Sequence, residues 1–326
     1  MLLKKKFVII LPFFNENELI IEFIKLINNN LKNLDANFLL LFVNDGSTDN
    51  TQSLISSYKG LNYNIEIQTI ELKTNSGHQN AIRQGLIYVK NKYLELIDGV
   101  IIMDSDGEDN PEAISELITI KEFEIVFVTR GKRKESLLFK LSYFIYKLIF
   151  RTITGKQINF GNYSMINTKV LSSIADKNFF HYSASLSKQN FTIKKIKYNR
   201  NKRLSGSSKM NYKGLMIHGL KSFIEYNEEL IYFQVKVFSI LLVFFLSLLS
   251  YVFYSKFISN TAFIGWSSTL LVNLINGMLI IFSSIILSTL LYTIKNTLEQ
   301  KNIIVKKNFI NNTHLKESMF NENEQL

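Results

Sequence analysis

The segment Val100-Ile-Ile-Met-Asp-Ser-Asp-Gly-Glu-Asp-Asn-Pro-Glu112 carries a short apolar run straight into a knot of carboxylates. Val100 to Met103 reads as a buried strand, and Asp104, Asp106, Glu108 and Asp109 follow at once. Pro111 then opens a helix, where its missing N–H costs nothing in the first turn. Two aspartates two residues apart at a strand end can converge on one hard cation. Such a cation prefers oxygen ligands and keeps part of its shell for substrate phosphates. The same residues also suit a plain acidic loop that complements the dipole of the next helix.

Upstream, the pattern repeats. Phe7 to Pro12, Phe38 to Val43 and Ile65 to Leu72 are continuous apolar strands, each followed by a helical segment: Leu19 to Leu34, Asn50 to Tyr58 and Ala81 to Asn91. Pro111 to Lys121 and Glu124 to Thr129 extend the alternation. Strands and helices at this spacing predict an α/β domain with a mostly parallel sheet, which takes ligands at the carboxyl ends of its strands. Polar clusters stand at those ends in series: Asn15/Glu16, Asn44/Asp45, Asn75/His78 and Asp104/Asp106. A dinucleotide fingerprint after the first strand, a P-loop, a zinc spacing and a G-x-S-x-G elbow are all absent from the sequence.

The second half changes character. Arg130-Gly-Lys-Arg-Lys134 leads into residues 136–152, an amphipathic stretch with basic residues that suits either a membrane interface or packing on the core. Phe191 to Tyr198 alternates like a strand and precedes a loop from Arg200 to Lys209 with Arg203, Gly206 and Ser208, which could clamp a phosphate. A second amphipathic stretch spans residues 212–230. Val237 to Tyr254 and Ala262 to Ile294 are each apolar over about the 20 residues that a hydrocarbon core requires. Lysines flank the pair, whereas the connector carries only Lys256, so both termini are expected in the cytoplasm. The expected organisation is a catalytic domain over residues 1–230, a transmembrane hairpin over 231–296 and a disordered cytoplasmic tail over 297–326. The chain of 326 residues has no cysteine, which excludes disulfides and thiolate metal sites, and its first apolar run is too short for a signal peptide. Its formal charge of +11 is spread widely, and no aromatic-basic platform points to nucleic acid.

Taken in order, these motifs resemble the family 2 glycosyltransferases, in the membrane-anchored branch that includes dolichyl-phosphate mannose synthase and bacterial polyprenyl-phosphate sugar transferases. The resemblance rests on Ile9 to Glu16, Phe42 to Asp49, Asn75 to Ala81 with Gly85, Met103 to Glu112, and Arg200 to Lys209. It implies a GT-A fold (Rossmann-like), a nucleotide-diphosphate sugar donor, Mg²⁺ or Mn²⁺, a polyprenyl-phosphate or other lipid-linked acceptor, and inversion at the anomeric carbon. It places the chain in a bacterial inner membrane, possible homo-oligomers included. By matching, Pro12, Phe14, Glu16, Asn44, Asp45, Asn75, His78 and Asp104 would line the nucleotide-sugar pocket, and Asp104 and Asp106 would hold the metal. Asp106, Glu108 and Asp109 would be the catalytic carboxylates. Arg130, Arg133, Arg200, Arg203, Ser208 and Lys209 would bind the acceptor phosphate or the donor pyrophosphate.

Three positions depart from the pattern. Asn44 replaces the first of two aspartates, Glu108 stands where relatives carry glutamine, and Met210 follows Lys209 in place of an aromatic. A lipid-phosphate acceptor is already anionic and needs no strong base, whereas a glycan or lipid-linked saccharide hydroxyl would need one, with Glu108 or Asp109 the candidates. A silent membrane-anchored scaffold is the reading from a different class.

Overall fold

The computed structural model describes residues 4–130, 137–156, 161–204, 212–259, 265–297 and 305–311. The chain forms two compact units, one of residues 1–140, 158–225 and 300–326, the other of residues 141–157 and 226–299.

The first unit is built on an eight-stranded sheet. In chain order its strands are β1 (Lys5–Phe13), β2 (Ala36–Asn44), β3 (Ile65–Leu72), β4 (Gly99–Ile102), β5 (Ile125–Arg130), β6 (Ser164–Asn167), β7 (Ile193–Tyr198) and β8 (Val305–Asn311). Across the sheet the order is β7-β5-β6-β4-β1-β2-β3-β8. β1 pairs in parallel with β2 and β4, β2 with β3, and β5 with β7. β6 runs antiparallel between β4 and β5, and β8 antiparallel along β3. Since β6 opposes both its neighbours, β4, β5 and β7 point the same way as β1 to β3. Their carboxyl ends, and the amino end of β6, therefore share one edge.

The strands read as unbroken apolar runs because both faces of the sheet are covered. Phe7, Ile9, Leu11 and Phe13 of β1 pack into one core with Phe38, Leu40 and Phe42 of β2, beneath α1 (Ile20–Leu31), α2 (Thr51–Ser57) and α4 (Ala113–Leu117). Val8 and Ile10 alternate into a second core with Leu39, Leu41 and Val43, beneath α3 (His78–Tyr93), α6 (Thr168–Ala175) and α7 (Tyr182–Lys188). In α1 the buried Ile20, Phe23, Ile24, Ile27 and Leu31 keep the three- and four-residue spacing of one helix face. Each buried Ile, Leu or Phe is worth about 1.5–3 kcal/mol. α3 sits unusually close to the sheet at Gly85, where a Cβ would come within 2.6 Å of Ile10 and 3.2 Å of Val43.

The α/β sheet, mostly parallel, is as expected. β6, α6 and α7 were not foreseen, and α3 begins at His78 rather than Ala81, which moves His78 into its first turn. The tail expected to be disordered from residue 297 contains β8. An edge strand needs only its backbone groups to pair with β3, so a polar sequence suffices.

The second unit holds α9 (Asn227–Phe257) and α10 (Trp266–Thr297), with most of α5 (Leu137–Thr154). Residues 141–157 thus group with the hairpin rather than with the catalytic domain, and the division falls after Glu225 rather than at 230. α9 and α10 have apolar stretches of mean hydropathy 2.3, long enough to cross a membrane. Asn227 Nδ2 donates to Ser288 O at 3.0 Å and Gln234 Nε2 to Ser284 Oγ at 2.9 Å, pairing the two helices through polar contacts. α5 exposes Phe144, Leu148 and Ile149, and Phe150 meets Tyr226 edge-on. Among the described residues the first unit also holds α8 (Tyr212–Glu225).

Candidate active site

The strand edge described above gathers four loops. After β1 the chain turns sharply at Asn15, which takes a left-handed φ of 52° that asparagine tolerates better than most residues. Asn15 N donates to Ser47 Oγ at 3.0 Å, and Thr48 N to Asn15 Oδ1 at 2.8 Å, fastening the loop after β1 to that after β2. Pro12 is buried in β1, and its carbonyl accepts from Ser105 Oγ at 2.8 Å, so the loop after β4 is tied in as well. Phe14, after β1, and Asn75, after β3, are both exposed.

Asn44 and Asp45 are buried and occupied within the protein. Asn44 Oδ1 accepts from Ser47 N at 2.7 Å and its amide donates to Gln52 Oε1 at 3.2 Å. Asp45 accepts from Ser76 N, Ser76 Oγ and Gly77 N at 2.8, 3.0 and 2.9 Å. The loop that Asp45 holds presents His78 on the first turn of α3.

His78 Nε2 lies 3.1 Å from Asp104 Oδ1. Desolvation lowers the imidazole pKa, but Asp104, by charge and hydrogen bond, with Asp109 and Asp45 behind it, raises it further, and the net shift is upward. Asp109 is buried and accepts from Asp104 N at 3.1 Å, so it holds the backbone of the acidic loop in place. Asp106 accepts from Glu108 N at 3.0 Å. Burial raises the Asp106 pKa and Asp104 raises it again, against the pull of Arg200 and Arg203.

The basic loop after β7 docks directly on these carboxylates. Arg203 Nη2 donates to both carboxylate oxygens of Glu16 at 3.1 Å, and its Nη1 reaches Asp106 Oδ2 at 3.5 Å. Arg200 pairs with Glu108, and burial lowers its pKa against the opposing effect of Asp106 and Asp104. Backbone bonds support the pairing: Asn201 N donates to Glu108 O at 2.9 Å. Gly107 makes the approach possible. It has φ +79°, and a Cβ there would lie 2.6 Å from Leu204 Cγ.

The structure therefore brings Glu16, His78, Asp104, Asp106, Glu108, Asp109, Arg200 and Arg203 into one cleft. Arg130 ends β5 beside Tyr198 on the same edge. Arg133, Ser208 and Lys209 lie outside the described residues. Two residues missed from the sequence join the set: Gln79 and Asn162, whose amides stand behind His78. Gln79 had a signal in its place next to His78, whereas Asn162 precedes a strand too short to show a pattern.

The donor chemistry of Asp104 and Asp106 fits a divalent cation such as Mg²⁺ or Mn²⁺: both offer hard oxygens, and ionisation of Asp106 is opposed by its neighbour, which a cation would relieve. Among the described residues no three His, Asp or Glu groups converge as a complete metal cage.

The profile described as "Glycosyl transferase family 2" matches residues 8–174, just over half of the chain. An uncharacterized glycosyltransferase of Bacillus subtilis, YkcC, is 27% identical over 292 residues, covering 86% of this chain and 84% of that protein. An undecaprenyl-phosphate 4-deoxy-4-formamido-L-arabinose transferase of Yersinia enterocolitica is 28% identical over 156 residues, 47% of this chain and 46% of that protein. Among solved structures, mannosyl-3-phosphoglycerate synthase from Rubrobacter xylanophilus matches with a TM-score of 0.50 at 12% identity, over 69% of this chain and 74% of that one, a likeness of fold. With the acidic cleft at its strand edge and this fold, the chain belongs to glycosyltransferase family 2.

Proposed function

We propose that the protein transfers a sugar from a nucleotide-diphosphate donor to a polyprenyl phosphate at the cytoplasmic face of the membrane, with a divalent cation and with inversion. The observation that carries this reading is the meeting of Arg200 and Arg203 with Glu108, Asp106 and Glu16 in one cleft, in a chain with two helices long enough to span a membrane. Paired guanidinium groups beside the acidic loop suit an anionic acceptor and an anionic leaving group together. The undecaprenyl-phosphate relative supports the choice of acceptor.

Asp104 and Asp106 would hold the cation against the donor diphosphate, where it would neutralise charge gathering on the leaving nucleotide. Phe14 offers a face for the base, and Asp45 keeps the loop of Ser76 and Gly77 in place beneath it. An acceptor phosphate oxygen forms the new bond to the anomeric carbon as the bond to the diphosphate oxygen breaks, one in-line displacement that inverts the centre. Arg200 and Arg203 balance negative charge on both sides of that displacement. The phosphate arrives already ionised, so no group has to take a proton from it. Glu108, engaged by Arg200, is poorly placed to serve as a free base, which favours a phosphate acceptor over a saccharide hydroxyl.

Membranes given a labelled nucleotide sugar and Mn²⁺ are expected to yield an organic-extractable sugar lipid that mild acid cleaves. A product stable to mild acid would point instead to a glycosidic bond on a saccharide acceptor.

A further inference from the structure

A run of side-chain amides stands directly behind the acidic pair. Gln79 and Asn162 are both buried, each 9% exposed. The first donor sets the direction of the run. Tyr182 N–H can only donate, and it meets Gln79 Oε1 at 2.6 Å. Gln79 Nε2 is then the donor to Asn162 Oδ1 at 3.4 Å, and Asn162 Nδ2 faces His78 Nε2 at 3.1 Å.

The backbone of Asn162 is pinned too. Ser164 Oγ donates to Asn162 O at 2.9 Å, so the buried Tyr182 hydroxyl, 2.8 Å away, donates in turn to Ser164. The start of α7 is held from two sides. Glu225, the last residue of α8, accepts from Phe180 N and His181 N. Arg83, one turn beyond Gln79, donates through Nε to Lys177 O at 3.1 Å.

His78 Nε2 consequently has two claimants, Asn162 Nδ2 and Asp104 Oδ1, each at 3.1 Å. A ring nitrogen has one in-plane position. It accepts from Asn162 with its lone pair or donates a hydrogen to Asp104, and cannot do both.

We propose that Gln79 and Asn162 are positioning residues: they aim a hydrogen-bond donor at His78 Nε2, weaken its pairing with Asp104 and so keep that carboxylate open to a divalent cation. The consequence for the cation rests on reading Asp104 as its ligand. The hydrogen-bond run does not. Glu225, two residues before the first hairpin helix, anchors the far end through α7.

Two measurements on the full-length purified chain test this. The sequence has four histidines, so ring-¹⁵N-histidine labelling gives a small spectrum in which His78→Gln identifies the His78 signals. Without metal, Gln79→Glu and Asn162→Ala should each shift the His78 Nε2 resonance more than those of the other histidines. Gln79→Glu should add nothing once residue 162 is alanine. Gln79→Glu keeps the acceptor for Tyr182 N–H but buries a new carboxylate, so its thermal midpoint should fall while a cooperative unfolding transition still shows the variant to be folded. An unmoved His78 resonance in that folded variant overturns the proposal.

The second measurement follows Mn²⁺ alone, through loss of the free-ion spin-resonance signal. Asn162→Ala should weaken Mn²⁺ binding about tenfold, the lower end for a residue supporting a metal ligand. It should have no further effect in the His78→Gln background. Equal weakening with and without His78 overturns the positioning role. A wild-type chain that takes up no Mn²⁺ overturns the cation reading of Asp104, while the ring spectrum still decides whether the amide run exists.

Discussion

Asp106 ionises against its surroundings, since burial and Asp104 both raise its pKa and the two arginines only partly compensate. The folded chain therefore holds the Asp106 proton more tightly than the unfolded chain. That contribution to stability is present below the ordinary carboxylate range and is lost as pH rises through the raised folded value. Asp106→Asn removes the opposed charge. It should raise the metal-free thermal midpoint at neutral pH by a few degrees, at about 2–4 °C per kcal/mol for a unit of this size. The same variant should lower transfer by at least about a hundredfold, because a charge-stabilising group is lost. Retained full activity would remove Asp106 from the reaction. Arg203 makes the reverse case: its loss takes away the guanidinium that bridges the half-buried Glu16 and Asp106. Arg203→Ala should destabilise the metal-free chain by about 1–3 kcal/mol in denaturant unfolding. Arg203→Lys should recover only part of that, since one ammonium does not span both carboxylates as the guanidinium does. The aspartates were legible in the sequence because they end an apolar strand. Asn162 was not: it meets a histidine 84 positions away, and no local pattern encodes that contact.

The elements that read clearly in sequence are those buried on two sides. β1, β2 and β3 are unbroken apolar runs because helices cover both faces, and their parallel direction followed from alternation with helices. β6 was hidden for the opposite reason. Its four residues, Ser-Met-Ile-Asn, are too few to show a period, and its antiparallel direction depends on neighbours far away in sequence. β8 was read as disordered because its composition is polar, and pairing along the β3 edge asks nothing of its side chains. α3 is the element on which the site depends most, as it carries His78, Gln79 and Arg83 along one helix. Its distance from the sheet is set at Gly85, where Ile10 and Val43 fill the space that a methyl group would need. Gly85→Ala would normally favour a helix by about 0.8–1.0 kcal/mol. Here overpacking, which typically costs about 1–3 kcal/mol, should exceed that gain. Chemical denaturation should show a net loss, and a neutral or stabilising result would mean that α3 can slide away from β1 without cost.

At the scale of the molecule, the sheet order explains why so dispersed a set of residues meets in one cleft. Inserting β6 antiparallel lets β5 and β7 point the same way as β4, so the arginines after β7 emerge beside the aspartates after β4. The acceptor proposed for this cleft reaches it only if the cleft and the lipid phosphate lie on the same side of the membrane. The lysine distribution makes that testable. Lys221, Lys236, Lys295, Lys301, Lys306 and Lys307 flank the two apolar runs, against Lys256 alone between them, a bias from which the connector is expected outside and the cleft inside the cell. The chain has no cysteine, so single cysteines report cleanly. Ser259→Cys, at the connector, should react with a membrane-impermeant maleimide in intact cells. Ser173→Cys, on α6 in the sheet-bearing unit, should react only after the membrane is opened. Reversed labelling would place the cleft away from a cytoplasmic nucleotide sugar and end the proposed reaction. Equal labelling of both sites in intact cells would show that the helices do not span the membrane.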